Sequence, residues 1–335
     1  MSEAIDLSLL KGTPQEREQI SAELLHSLKT RGGVKLKNHG LPDKLVHELF
    51  DWTKCSPSTL PRQTQTAATA MLDRSRSRVS VAMRRDYLRA VLFVILRYRT
   101  PSHYSERDVL RQIQETVDFG SPRDELVDNI WVPEEKLPGF RKFIEDFYET
   151  CFKLELEILA ALARALGVDE DHMVSLHNKA ENEFRILHYP EVPASELADG
   201  TATRIAEHTD FGSITMLFQD SVGGLQVEDQ QNPGVFRGIE SADKTEIILN
   251  IGDSMQRLTN DTFRAACHRV TYPPSVKVGS EAVIPERYSI AYFAKPNRSA
   301  SLFPFKEFIT PSTPCRYEDI NAWDFQNLRI SRLFK

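Results

Sequence analysis

His208, Thr209 and Asp210 set an imidazole and a carboxylate two residues apart, just ahead of the apolar run at residues 214–218. Taken alone the pair says little. With nine histidines and 48 acidic residues among 335, one acidic residue two places after a histidine is expected by chance. In extended chain, however, residues i and i+2 point to the same side, so both side chains can occupy neighbouring corners of a metal site. Two histidines and one carboxylate on one face leave three coordination positions open, which suits non-haem Fe(II) that must take oxygen and a second reactant. The third ligand has to come from another strand. Most of the remaining histidines fall on predicted helices or turns, and His188 ends an earlier strand. His268, in "RAACHRVTYPP", stands at the start of a β-like run well downstream.

A second constellation lies in "ERYSIAYFA", where Arg287 and Ser289 alternate onto one face of an apolar strand. The same R-x-S spacing recurs at Arg78/Ser80 and Arg329/Ser331, so the spacing itself is unspecific; the apolar strand around Arg287 distinguishes it. A buried guanidinium needs an anionic partner, because an unpaired buried charge costs several kcal/mol. No acidic residue follows within the strand. Two readings stand open at this point: an interstrand salt bridge, or an incoming carboxylate held by the guanidinium fork with the serine hydroxyl adding a third hydrogen bond. Charge counting connects the two constellations. Fe(II) with two neutral histidines and one aspartate keeps one formal positive charge. A dicarboxylate such as 2-oxoglutarate cancels it with one carboxylate and presents the other to Arg287.

These residues need elements to hold them. Thr13-Pro14-Gln15-Glu16 is a capping box with proline at the first helical position, followed by the stripe Ile20, Leu24, Leu25 and Leu28 and a stop at Gly32-Gly33. "VKLKNHG" reads as a short strand, and residues 42–52 as a further helix. After Pro138, the residues Phe140, Phe143, Ile144, Phe147, Cys151, Leu154, Ile158 and Leu162 draw one apolar helical face that ends at Gly167. From about residue 183 the texture changes to short runs: "EFRILHY", "SITMLF", "GGLQVE", "EIILNIG", "CHRVTY" and "RYSIAYFA". They are rich in β-branched and aromatic residues and separated by turn formers. Many short strands without intervening helices predict a jelly roll. The expected fold is therefore mainly β with α: a double-stranded β-helix core with an N-terminal helical region packed on it. The expected division is a mostly helical 1–175, a jelly-roll domain at 176–300 and a C-terminal helical extension at 301–335.

Composition narrows the function. An apolar fraction of 41%, a charged fraction of 27% and a net charge of −6 are those of a soluble globular enzyme and give no reason to expect nucleic acid or an anionic membrane as partner. The longest apolar run, residues 90–96, is far short of the roughly 20 residues that span a bilayer. The start of the chain has neither a basic stretch nor an apolar h-region, and Cys55, Cys151, Cys267 and Cys315 are scattered without a CxxC pair. The expectation is a cytoplasmic monomer.

"EHTDFGSITMLFQD", "GGLQV", "ILNIGDSMQRLTND", "CHRV" and "RYSIAYFAKPN" resemble the iron(II)/2-oxoglutarate-dependent oxygenases of the isopenicillin N synthase-like superfamily; "IDLSLL", "VKLKNHG" and "DNIWVPEEKLPGFRKFIEDFYE" resemble its N-terminal part. The likeness covers residues 5–52 and about 115–325. It implies that His208, Asp210 and His268 are the iron ligands, that Arg287 and Ser289 hold the distal carboxylate of 2-oxoglutarate, and that Tyr189 assists there. It further implies a dioxygenase that uses O2 to hydroxylate, desaturate or rearrange a small, secondary-metabolite substrate, with release of succinate and CO2. Two alternatives stand beside it: an oxidase of the isopenicillin N synthase type that dispenses with 2-oxoglutarate, and an inactive barrel that binds a small molecule. Between residues 53 and 114, where eight arginines fall between Arg74 and Arg99, no counterpart to the family pattern is found; a diverged lid or a gene-model artefact would each explain it.

Overall fold

The computed structural model describes residues 4–59, 111–198, 202–273, 275–276 and 282–333. The question of lid or artefact at 53–114 falls mostly on residues outside these.

The N-terminal helix forms as its sequence dictates. In α1 (Pro14–Arg31) the Thr13 hydroxyl accepts from the Glu16 amide while the Glu16 carboxylate accepts from the Thr13 amide, closing the capping box. Gly32 ends the helix at φ +74°, a left-handed conformation open to glycine without strain. The chain then enters the sheet, leaves it for α2 (Asp43–Thr59) and returns before the 27-residue α3 (Phe140–Leu166). Short helices follow at α4 (Glu170–Ser175), α5 (Ala194–Ala198) and α6 (Asp253–Leu258), and α7 (Ala322–Leu333) lies near the end of the chain. Residues 301–321 carry one 3-10 turn, Lys306–Phe308, and are otherwise irregular.

The strands in chain order are β1 (Ile5–Asp6), β2 (Gly33–Lys37), β3 (Arg111–Gln112), β4 (Glu115–Gly120), β5 (Glu183–Tyr189), β6 (Val192–Pro193), β7 (Ala202–Thr203) and β8 (Ile205–His208). Then come β9 (Ile214–Gln219), β10 (Leu225–Glu228), β11 (Phe236–Gly238), β12 (Ile247–Ile251), β13 (His268–Val270), β14 (Val283–Ile284) and β15 (Arg287–Ala294). A major sheet runs β1-β2-β12-β9-β15-β5-β4 and a minor sheet β11-β10-β13-β8. The N-terminal region thus contributes three strands, β1, β2 and β4, to the major sheet.

Alternation along each strand of the major sheet divides two environments. Ile214, Met216 and Phe218, with Ile247, Leu249, Ile251, Ile290 and Tyr292, share one core with the buried face of α3. Phe147 of α3 meets Phe184 at 5.7 Å and Phe218 at 5.8 Å between ring centroids. Such pairs add about 0.5–1.5 kcal/mol each beyond their buried area. The opposite face looks into the jelly roll, where Leu187, Tyr189, Ile248 and Ala291 pack with Leu225, Val227 and Val270 of the minor sheet. That inner face also carries Thr215, Gln219, Asn250, Arg287 and Ser289. Polar residues on an inward face need internal partners, and these partners define the site.

Candidate metal centre and co-substrate pocket

β13 pairs with β8 so that His268 stands directly opposite His208, with the register slipping between His268 and Val270. This pairing brings the two imidazoles to 4.2 Å between ring centroids. Each ring is oriented by its own strand: Nδ1 of His208 lies 2.9 Å from the Ala206 carbonyl oxygen, and Nδ1 of His268 lies 2.9 Å from that of Ala266. A carbonyl only accepts, so Nδ1 carries a hydrogen in each ring and Nε2 is the nitrogen left to offer a lone pair to a metal.

β8 stops at His208, and Asp210 projects from the turn that follows, not from extended strand. The turn is clamped from α6: the Asp253 amide donates to the Asp210 carbonyl at 2.7 Å and the Ser254 amide to that of Gly212 at 3.0 Å. A Cβ on Gly252 would run into the Gly212 carbonyl oxygen, so only glycine permits this approach. One carboxylate oxygen of Asp210, Oδ2, accepts from Thr215 Oγ1 at 2.7 Å and from Asn250 Nδ2 at 2.9 Å. The other, Oδ1, faces the Nε2 atoms of His208 and His268 at 3.9 and 3.8 Å. One ligand atom from each of the three residues lies within 4.8 Å of the other two.

The electrostatics agree with a donor set for a divalent cation. Burial, then the neighbouring His268, pushes the His208 imidazole down to about 4, so it is neutral near pH 7. Its ring is 39% exposed, yet protein crowds it closely enough for desolvation to dominate. For Asp210 burial acts upward, but His268 and His208 and the hydrogen bonds from Thr215 and Asn250 outweigh it and hold the carboxyl below its ordinary range. Two imidazole nitrogens and a carboxylate oxygen suit a first-row divalent metal, and three ligands on one side leave positions for reactants.

Further along the same inner face, β15 and β5 pair Arg287 with Tyr189 and Ser289 with Leu187. Arg287 is wholly buried and its Cζ lies 4.9 Å from the centre of the Tyr189 ring. Its Nη1 donates to Ser289 Oγ at 3.1 Å and its Nη2 to Gln219 Oε1 at 2.8 Å, while Nε has no hydrogen-bond partner among the described residues. Among the described residues no ion pair involves Arg287, so the interstrand salt bridge left open by the sequence is not formed. Gln219 is itself fixed by donating to the Ile239 carbonyl at 2.9 Å.

All six residues singled out from the sequence therefore face one interior: His208, Asp210 and His268 at one end, Arg287, Ser289 and Tyr189 at the other. Sequence reasoning missed Thr215, Asn250 and Gln219, which hold these side chains in place. It also missed Arg185, whose guanidinium grips Asp118 at 2.6 and 2.8 Å on the inner wall and lies over Phe293 at 5.5 Å. The available signal was alternation: Thr215 and Gln219 are polar on one side of an otherwise apolar strand. Two unused histidines are structural. His177 bridges the Met173 carbonyl and Ser213 Oγ at 3.0 and 2.8 Å, and His39 bonds the Thr245 carbonyl at 2.8 Å.

A jelly roll holding two histidines, an aspartate and a buried arginine with no ion pair among the described residues defines a class, the mononuclear non-haem metal enzymes that use a carboxylate co-substrate. Comparison with known proteins identifies the family. Residues 177–296 match the 2OG-Fe(II) oxygenase superfamily, and residues 3–62 match the N-terminal region of non-haem dioxygenases in morphine synthesis. The proline hydroxylase buaE of Petromyces alliaceus is 36% identical over 326 residues, 97% of either chain. The 2-oxoglutarate-dependent dioxygenase frbA of a Dothideomycetidae species is 37% identical, covering 97% of this chain and 93% of that one. A full-length protein of Neurospora crassa, solved in complex with alpha-KG (2-oxoglutarate), superposes with a TM-score of 0.81 at 28% identity over 98% of this chain and 95% of that one. The chain belongs to the 2-oxoglutarate- and iron(II)-dependent oxygenase superfamily. It is a dioxygenase with iron(II) as its metal and 2-oxoglutarate as its co-substrate. Among the described residues no helix is long and apolar enough to cross a membrane.

Proposed function

We propose that His208, Asp210 and His268 hold the iron, that Arg287 with Ser289 and Tyr189 receives the distal carboxylate of 2-oxoglutarate, and that the substrate oxidised is a small molecule of secondary metabolism. The observation that carries this reading is the joint orientation of the three ligands: both Nδ1 atoms are committed to carbonyls and Asp210 Oδ2 to two donors, so Nε2, Nε2 and Oδ1 converge. Bound iron supplies the redox chemistry that couples decarboxylation of 2-oxoglutarate to cleavage of a substrate C–H bond. The chain's own residues bind and orient. Thr215, which holds Asp210, and Gln219, which holds Arg287, lie four residues apart on β9, a rise of about 13 Å. The reach of the arginine side chain and a five-carbon dicarboxylate together close that gap. Leu187 and Ala291, with Leu217 packed against them, make the same inner face apolar, and an apolar setting strengthens a guanidinium–carboxylate pair. A small-molecule substrate is supported by the relatives, one of which is named a proline hydroxylase. We further infer a cytoplasmic monomer, supported by the net charge of −6 and four scattered cysteines; light scattering after size exclusion would read the mass of one chain.

The test is succinate formation from 2-oxoglutarate with Fe(II), with and without His268→Ala. The expected result is loss of turnover and of tight metal binding in the variant. Equal rates in both proteins would refute the ligand assignment.

A further inference from the structure

Arg204 lies one residue ahead of β8 and four ahead of His208, and no function is attached to it so far. It is wholly buried. Of its three guanidinium nitrogens, Nη2 donates to the Pro285 carbonyl at 2.5 Å, while Nε and Nη1 have no hydrogen-bond partner among the described residues. No ion pair involves it among the described residues. Among the described residues Tyr189 and then Asp220 act to favour its charge, and the Asp220 oxygens already accept from the Tyr288 and Val222 amides at 2.6 and 3.0 Å. Its Cζ lies 5.7 Å from the centre of the Tyr189 ring, the same ring on which Arg287 rests at 4.9 Å. Two buried guanidiniums thus share one aromatic ring at one end of the jelly roll.

This arrangement works against stability. Burial, and then the charge of Arg287, lowers the Arg204 guanidinium to about 10. A residue needed only to brace the Pro285 carbonyl would not need a charge there, since apolar replacements of buried ions are often neutral or stabilising. Two buried guanidiniums over one ring leave a surplus of positive potential on the inner face, which suits an anion that arrives from outside. We propose that Arg204 is a second positioning cation of the co-substrate pocket, which acts with Tyr189 and Arg287 to select a 2-oxo acid carrying a distal carboxylate. The proposal rests on the reading of Arg287 given above.

The experiment compares two ligands of equal chain length, 2-oxoglutarate and 2-oxovalerate, which has a methyl group where the distal carboxylate would be. Each is titrated anaerobically into the Fe(II)-loaded full chain and followed by the absorption of the 2-oxo acid chelate. The readout is the ratio of the two dissociation constants. Arg204→Gln keeps a donor for the Pro285 carbonyl and removes the charge; Arg204→Met removes both; Arg204→Lys restores the charge. The expected result is a ratio lowered tenfold or more in the Gln and Met variants and recovered at least in part by Lys, with Fe(II) affinity unchanged. If Arg287→Met collapses the ratio while Arg204→Gln leaves it within twofold of wild type, Arg204 is only a brace and the proposal fails. If Arg287→Met also leaves the ratio unchanged, the reading of Arg287 fails and this proposal with it. Should the Met variant not fold, the Gln and Lys pair decides the matter.

Discussion

Thr215→Val and Asn250→Leu test whether the metal centre depends on the residues behind its carboxylate. Asp210 Oδ2 is buried and accepts one hydrogen bond from each, at 2.7 and 2.9 Å. Hydrogen bonds to a charged group contribute about 1.5–3 kcal/mol, which corresponds to roughly 10- to 100-fold in an equilibrium constant. Loss of a partner that orients a metal ligand characteristically weakens metal binding over the same range. Thr215 is 4% exposed and paired in the middle of the sheet, so valine replaces it with little change of shape and isolates the hydroxyl. Each single variant should raise the Kd for Co(II) or Fe(II) about 10-fold or more. The double variant leaves Oδ2 buried with no donor and should weaken binding by at least the product of the two. The assay is an anaerobic Co(II) titration followed by the visible bands of the bound ion, with competition against a chelator for tight cases. Denaturant midpoints measured without metal control for general destabilisation. A double variant that binds metal within about threefold of wild type would show that Oδ2 need not be held, and the orientation argument for Asp210 would fall.

Arg329 of α7 donates to Thr209 Oγ1 at 3.0 Å and pairs with Asp253 at 2.9 Å, tying the C-terminal helix to the residue between two proposed ligands. Arg329→Ala should speed metal release severalfold in a chelator chase, because a partly exposed pair contributes about 1 kcal/mol; an unchanged off-rate would remove α7 from the site. Gly212→Ala drives a Cβ into the Ala294 carbonyl oxygen and should cost about 1–3 kcal/mol, read as a lower urea midpoint at unchanged slope. Glu155, buried in the α3 core beside Tyr292 and Asn182, is pushed well above its ordinary 4.5 by burial, so the folded protein keeps a proton that the unfolded chain releases. Stability should therefore fall by about 1.4 kcal/mol per pH unit as pH rises from above 4.5 toward the folded pKa. Glu155→Gln should flatten that slope between pH 5 and 8 in melts at stepped pH; a slope equal to wild type would mean that Glu155 ionises in the fold.

What could be read from the sequence, and what could not, follows from how each feature is encoded. The cap at Thr13, the stop at Gly32 and the stripe of α3 are set by near neighbours in the chain, and the structure has them where the spacing put them. β5 and β15 likewise run over the residues of "EFRILHY" and "RYSIAYFA". β4 escaped notice, and β8 was legible only as extended chain at His208 and Asp210, although the strand stops at His208. β8 is four residues with a polar end, and β4 takes its pattern from pairing Asp118 with Arg185 across strands far apart in sequence. The same division runs through the site. His208 and Asp210 are local, whereas their meeting with His268 depends on one register, His268 opposite His208, across 60 residues of chain.

The supporting residues are harder to read for a chemical reason. A metal ligand must be one of few residue types, but the donor behind it need only be polar and stand at the right place in the sheet. Thr215, Asn250 and Gln219 could exchange roles with Ser, Gln or Tyr elsewhere and leave the same geometry, so their types carry little signal. Arg204 stands between these cases. A buried cation is costly enough that its type alone raises a question, yet nothing in "TATRIAEH" marks Arg204 as buried until the register of β15 against β5 brings Tyr189 and Arg287 to the same place. The cost of burial, read from the structure, is what turns that arginine from a surface charge into a candidate for co-substrate selection.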